Sequence, residues 1–157
     1  TQGLFLKTAR EVAAKYPEIE FDEKIVDAAC MHMVMKPEQF DVVVTTNMFG
    51  DILSDLTAGL VGGLGLIPGA NIGADAALFE AVHGSAPDIA GKNIANPTAV
   101  MMAGVMMLNH LGEHVAAERM QAAIEKVIAE GVYVTPDLNP ASQYGTREMA
   151  DAIIAAM

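Results

Sequence analysis

The sequence predicts an α/β protein, and three observations carry that prediction. Segments with the apolar spacing of helices alternate with short β-branched or alternating segments along the chain. One of these, FDVVVTT from Phe40, is a continuous β-branched run, which suits a strand buried on both faces in a sheet covered by helices. The chain has 157 residues, 52% of them hydrophobic, so it is too apolar for disorder and long enough for a genuine core.

Taken in order, Gly3 to Tyr16 has helical spacing and Pro17 stops it. Glu18 to Phe21 alternates like a short strand. Asp27 to Met35 reads as a helix ended by Lys36–Pro37, and the Phe40 strand then delivers a second helix with apolar positions at Ile52, Leu53, Leu56 and Leu60. The Gly-rich run from Gly59 to Gly73 is where the chain is expected to cross between domains, because glycines permit sharp turns and close backbone approach. The boundary is placed near Gly62, giving domains 1–62 and 63–157. Leu78 to Val82 reads as another strand, and Asn96–Pro97 as a helix start with Pro at the first helical position. The helix running to His110 is apolar nearly all round, with Val100, Met101, Met102, Val105, Met106, Met107 and Leu108, and is expected to be buried. A further helix from about Glu113 to Glu130 carries a stripe at Met120, Ala123, Ile124 and Val127 and ends before Gly131, a good left-handed cap. Tyr133 to Pro140 reads as strand or loop, and Thr146 to Ala156 as the closing helix.

A formal charge of −11 argues against a nucleic-acid or anionic-membrane surface. One cysteine, Cys30, excludes an internal disulfide and fits a reducing cytoplasm. The most apolar stretches are broken by Gly, Asp, Asn or Pro well short of the ~20 residues a membrane-spanning helix needs.

The chemistry is concentrated from Asn47 to Gly73. Asp51 and Asp55 lie four residues apart on a helical segment, so both carboxylates project from one face. Like charges so placed repel by about a few tenths of a kcal/mol on a free helix, and a hard divalent cation is the natural group to sit over them. The plainer alternative is a solvated acidic helix start favoured by the helix dipole.

The string NMFGDILSDLTAGLVGGLGLIPGANIG resembles the signature of the decarboxylating 2-hydroxyacid dehydrogenases, the isocitrate/isopropylmalate dehydrogenase family. The HGSAPDIAGKNIANP stretch from His83 to Pro97 resembles the same family's cofactor loop, and the likeness covers essentially the whole chain. The resemblance implies a three-layer sandwich of that family's type, represented only in part, with 1–62 from the smaller, dimerising domain and 63–157 from the larger, cofactor-binding one. It implies a homodimer formed through helices 27–35 and 50–62. Beside the family the chain, which opens on Thr1 inside a helix, looks like the C-terminal portion of a longer subunit; the catalytic Lys and Tyr are expected upstream, and the chain alone is expected to be inactive.

Residue by residue, the resemblance makes Asp51 and Asp55 ligands of Mg²⁺ or Mn²⁺, with Asp27 as a third ligand contributed across the dimer interface. Such a cation would chelate the hydroxyl and α-carboxylate of a small acid, isocitrate or a related malate derivative. The backbone of His83, Gly84, Ser85 and Ala86 is expected to serve the adenosine end of a dinucleotide, Asn96 the adenine, and Glu80 the region near the nicotinamide and metal. No Gly-x-Gly-x-x-Gly follows a strand, so a Rossmann site is not indicated. At Asp88 and Ile89, NADP-using relatives typically carry a Lys and a Tyr; an acid accepts hydrogen bonds from a free ribose hydroxyl and repels a phosphate, which favours NAD. The phrases LTAGLVGGLG and PGANIG look more like isocitrate than isopropylmalate enzymes.

Two other readings compete. HLGEH, from His110 to His114, matches the His-x-x-Glu-His zinc-protease pattern, but Gly112 weakens the helix such ligands need, and two histidines at a helix junction is the better reading. The Met-rich helix carrying Met31, Met33 and Met35 also fits a non-catalytic dimerisation module.

Overall fold

The computed structural model describes residues 2–157 and contains, in order, α1 (Gln2–Ala13), α2 (Val26–Met35), α3 (Asn47–Leu60), β1 (Pro68–Ile72), β2 (Ala77–Ala81), α4 (Thr98–His110), α5 (His114–Glu130) and α6 (Thr146–Ala156). Single 3₁₀ turns lie at Pro37–Gln39, Leu64–Leu66 and Pro87–Ile89. The chain groups into two compact units, Thr1–Phe49 and Gly50–Met157.

In the first unit α1 buries none of its residues, and α2 buries Ala29 and Met33. Arg10 on α1 grips Glu23 through two hydrogen bonds, Nε to Oε1 at 2.5 Å and Nη2 to Oε2 at 2.6 Å. The guanidinium holds the Glu23 carboxyl below its ordinary range. The expected strand at Glu18 to Phe21 is instead a turn and an irregular stretch with Ile19 and Phe21 exposed. The expected strand from Phe40 is likewise absent, and Val42 and Val44 are 83% and 75% exposed. The physical reason is the same for both. β-branched composition makes a chain willing to extend, but a strand exists only with a hydrogen-bonded neighbour, and the one ladder among the described residues is β1 with β2.

α3 stops because two glycines end it. Gly62 takes φ +113°, and the Gly63 N–H donates to the Ala58 carbonyl at 2.8 Å, closing the last turn. Beyond it β1 and β2 form an antiparallel hairpin in which Gly69 faces Glu80 and Asn71 faces Leu78. β2 lies one residue before the expected strand, whereas β1 falls inside the Gly-rich run and its PGANI sequence carries little strand propensity.

The core of the second unit is helical. Val105 of α4, Ala117, Ala123, Ile124 and Val127 of α5, Val134 of the following loop, and Met149 and Ile153 of α6 form one buried cluster. Burying each large aliphatic side chain contributes about 1.5–3 kcal/mol. The α5 stripe faces this cluster as its spacing predicts, and Gly131 ends the helix at φ +65°. α4 departs from expectation. It packs on α5 and on both strands, yet Val100 is 58% exposed and Met107 is also exposed, because no element of this unit covers that side of the helix.

Candidate functional site

α3 carries the acidic pair. Leu53 and Ala58 are its buried positions, which turns Asp51 and Asp55 outward, one turn apart and both exposed. Between and beyond them, hydroxyls bond to the helix rather than to the carboxylates. Ser54 Oγ donates to the Asp51 carbonyl at 3.1 Å, and Thr57 Oγ1 to the carbonyls of Leu53 and Ser54 at 3.0 and 2.9 Å. No ion pair among the described residues involves Asp51 or Asp55, so both carboxylates keep their lone pairs open. Asp27 occupies the first turn of α2 in the first unit, exposed, with Oδ1 accepting from the Ala28 N–H at 2.6 Å. Among the described residues of this single chain, no three His, Cys, Asp or Glu side chains converge as a metal-holding group.

The second group of expected site residues follows the β-hairpin. Glu80 projects from β2, where Oε1 accepts from Asn71 Nδ2 at 3.0 Å across the ladder. The chain then leaves the sheet, and His83 to Asp88 are exposed, with His83 Nδ1 3.0 Å from the Gly84 carbonyl. Ala86 adopts φ +42°, ψ +62°, a left-handed conformation that costs a residue with a Cβ roughly 1–2 kcal/mol. That turn is closed by the Ile89 N–H on the Ala86 carbonyl at 3.1 Å, which leaves the Asp88 side chain at the surface.

Asn96 terminates the segment with both ends of its amide engaged. Oδ1 accepts the Thr98 N–H at 2.9 Å, capping α4 ahead of Pro97, while Nδ2 donates to Asp137 Oδ2 at 2.9 Å. Gly65 lies beside this pair, at a place where a Cβ would make ordinary contact 3.4 Å from Asn96 Cβ.

A third cluster, not foreseen in the sequence, holds the same segment from the other side. The Asn93 carbonyl accepts the Thr146 N–H and Asn93 Oδ1 the Arg147 N–H, each at 3.0 Å, while Asn93 Nδ2 donates to Glu148 Oε2 at 3.0 Å. Glu148 Oε2 also accepts the Gly145 N–H at 2.9 Å. Its own backbone N–H, the Gly145 N–H and the Asn93 amide hold the Glu148 carboxyl below its ordinary range. Glu148 stands where a capping-box acid would, three residues after the N-cap, but Gly145 has no side chain to complete the box, and nothing in the sequence identifies Asn93 as the substitute.

The HLGEH histidines fall on different helices, with Gly112 at φ +83° between them. His110 stacks at a tilt on Phe79 and His114 meets Asn109 Oδ1, so the single-helix presentation a zinc site needs is not formed.

Compared with known proteins, the sequence model described as isocitrate/isopropylmalate dehydrogenase matches residues 1–153. The chain is 59% identical over 154 residues to the mitochondrial NAD isocitrate dehydrogenase catalytic subunit 5 of Arabidopsis thaliana, covering 98% of this chain and 41% of that protein. It is 54% identical over 157 residues to the isocitrate/homoisocitrate dehydrogenase of Thermus thermophilus, covering 46% of it, and equally identical to the 3-isopropylmalate dehydrogenase of Archaeoglobus fulgidus, covering 47%. Among solved structures, isocitrate dehydrogenase from Methylococcus capsulatus superposes with a TM-score of 0.93 at 66% identity, over 98% of this chain and 45% of that one. The chain thus spans less than half the length of these relatives.

Proposed function

Since the chain belongs to the isocitrate/isopropylmalate dehydrogenase family, we propose that it is the cofactor- and metal-bearing part of an enzyme that oxidatively decarboxylates a 2-hydroxy acid with NAD, isocitrate in preference to 3-isopropylmalate. The observation that carries the reading is the open carboxylate pair on α3, two unpaired acids on one face of one helix, a donor set that suits a hard divalent cation. Asp51 and Asp55 would hold Mg²⁺ or Mn²⁺ together with Asp27 of a second subunit, and the bound cation would supply positive charge where negative charge develops on the substrate oxygens.

The remaining roles belong to the chain itself. The exposed backbone of His83, Gly84, Ser85 and Ala86 offers donors to the adenosine end of the dinucleotide. Asn96 borders the adenine from the start of α4, and Glu80 stands on the strand that leads into the loop. Asp88 accepts from the ribose hydroxyls and Ile89 packs beside it, while the acid disfavours a 2′-phosphate. Residues 1–62 belong to the dimer-forming domain and 63–157 to the cofactor-binding domain, with the left-handed Gly62 and Gly63 at the crossing. The apolar surface of 27–35 and 50–62, including Met31, Met35, Ile52 and Leu60, all exposed, supports a homodimer through those helices. Among the described residues no helix is long and apolar enough to cross a membrane, and a cytoplasmic setting is part of the proposal.

Cofactor choice provides the test. In the intact enzyme, Asp88→Lys combined with Ile89→Tyr shifts relative kcat/KM toward NADP by about ten- to a hundredfold, since each charge-assisted hydrogen bond to the phosphate is worth about 1.5–3 kcal/mol. Rates are compared with isocitrate and 3-isopropylmalate in parallel. Unaltered NAD preference, or faster oxidation of isopropylmalate, counts against the reading.

A further inference from the structure

α6 begins with no N-cap side chain, because Gly145 has none, and Glu148 of its own first turn reaches back only to the Gly145 N–H. Its first free N–H groups, at Thr146 and Arg147, are instead taken by the carbonyl and side-chain oxygens of Asn93. Asn93 reaches this position at φ +56°, a conformation that Asn adopts more readily than other residues with a Cβ. The approach is close enough to demand glycine opposite, since a Cβ on Gly145 would stand 1.8 Å from the Asn93 carbonyl oxygen. Glu148, 55 positions away in sequence, then fixes the Asn93 amide, and Thr146 Oγ1 donates to the Ala95 carbonyl. The next residue is Asn96, itself held by Asp137.

We propose that Asn93 is a positioning residue of the dinucleotide site: by capping α6 it fixes the segment that carries Asp88, Ile89 and Asn96 in place before the ligand arrives. The inference rests on the proposed dinucleotide role of that segment. A loop already ordered does not have to be ordered on binding, so the effect falls on dinucleotide affinity and spares the carboxylates on α3.

The test uses the intact enzyme with NAD and Mn²⁺. Asn93→Ala raises KM for NAD about tenfold, with kcat and Mn²⁺ affinity within about twofold. Asn93→Asp does the same, because it sets a second carboxylate against Glu148 and loses the donor. Adding Glu148→Gln to Asn93→Asp restores a donor to that contact and brings KM for NAD back to within about twofold of the starting enzyme. An Asn93→Ala enzyme with native circular dichroism and unchanged KM for NAD overturns the inference alone, as does an equal loss in kcat, Mn²⁺ affinity and NAD affinity. An unsubstituted enzyme that binds no NAD overturns the dinucleotide reading and the inference with it.

Discussion

Asp55 bears the sharpest expectation at the scale of single residues. Asp55→Asn keeps the shape and removes the charge, so in the intact enzyme Mn²⁺ affinity falls by at least about tenfold, measured by titration calorimetry. Its pairing with Asp51 was readable from a four-residue spacing because helical geometry alone puts such residues on one face. Asn93 was not readable, since its role depends on a helix start far along the chain and on a left-handed φ that its neighbours do not encode. Glu148 adds a pH dependence. Its pKa lies below the ordinary glutamate value of 4.5 in the folded protein, so its stabilising contribution is present above that value and is lost as pH falls through the folded pKa. The stability gap between the unsubstituted protein and Glu148→Gln, from urea midpoints at about pH 7 and about pH 3, narrows at the lower pH. A gap that is constant or widens on acidification contradicts this.

Helices and strands were unequally legible, for a reason that lies in where their hydrogen bonds go. A helix satisfies its backbone within a local window, so α5 and α6 could be bounded from apolar spacing, Gly131 and the run after Gly145. A strand borrows its partners from elsewhere, which is why Val42 to Val44 lies exposed outside any ladder while unpromising PGANI is paired. The same distinction left α4 half-covered despite its composition. Ile124, 2% exposed at the centre of the α4–α5–α6 cluster, tests the element scale. Ile124→Ala destabilises the protein by about 2–5 kcal/mol in equilibrium unfolding, because the surrounding helices cannot close the void fully. A loss under about 1 kcal/mol means that the helices repack freely.

For the molecule as a whole, the α/β class was visible in the alternation of patterns. The relatives are more than twice as long as the chain, and the family resemblance leads us to expect the Lys and Tyr that move protons outside residues 1–157. Residues 1–157 alone therefore show no NADH absorbance from isocitrate, NAD and Mg²⁺, whereas turnover appears on mixing with the separately expressed remainder. Turnover by the fragment alone at the rate of the mixture refutes that division of labour. The cap that Asn93 places on α6 has a consequence for how motion can be seen. First-turn helix amides ordinarily exchange with solvent unprotected, but those of Thr146 and Arg147 are covered by a residue outside their helix. Their deuterium uptake is thus a clock for departures of the Asn93 segment, readable without any ligand and without an attached probe.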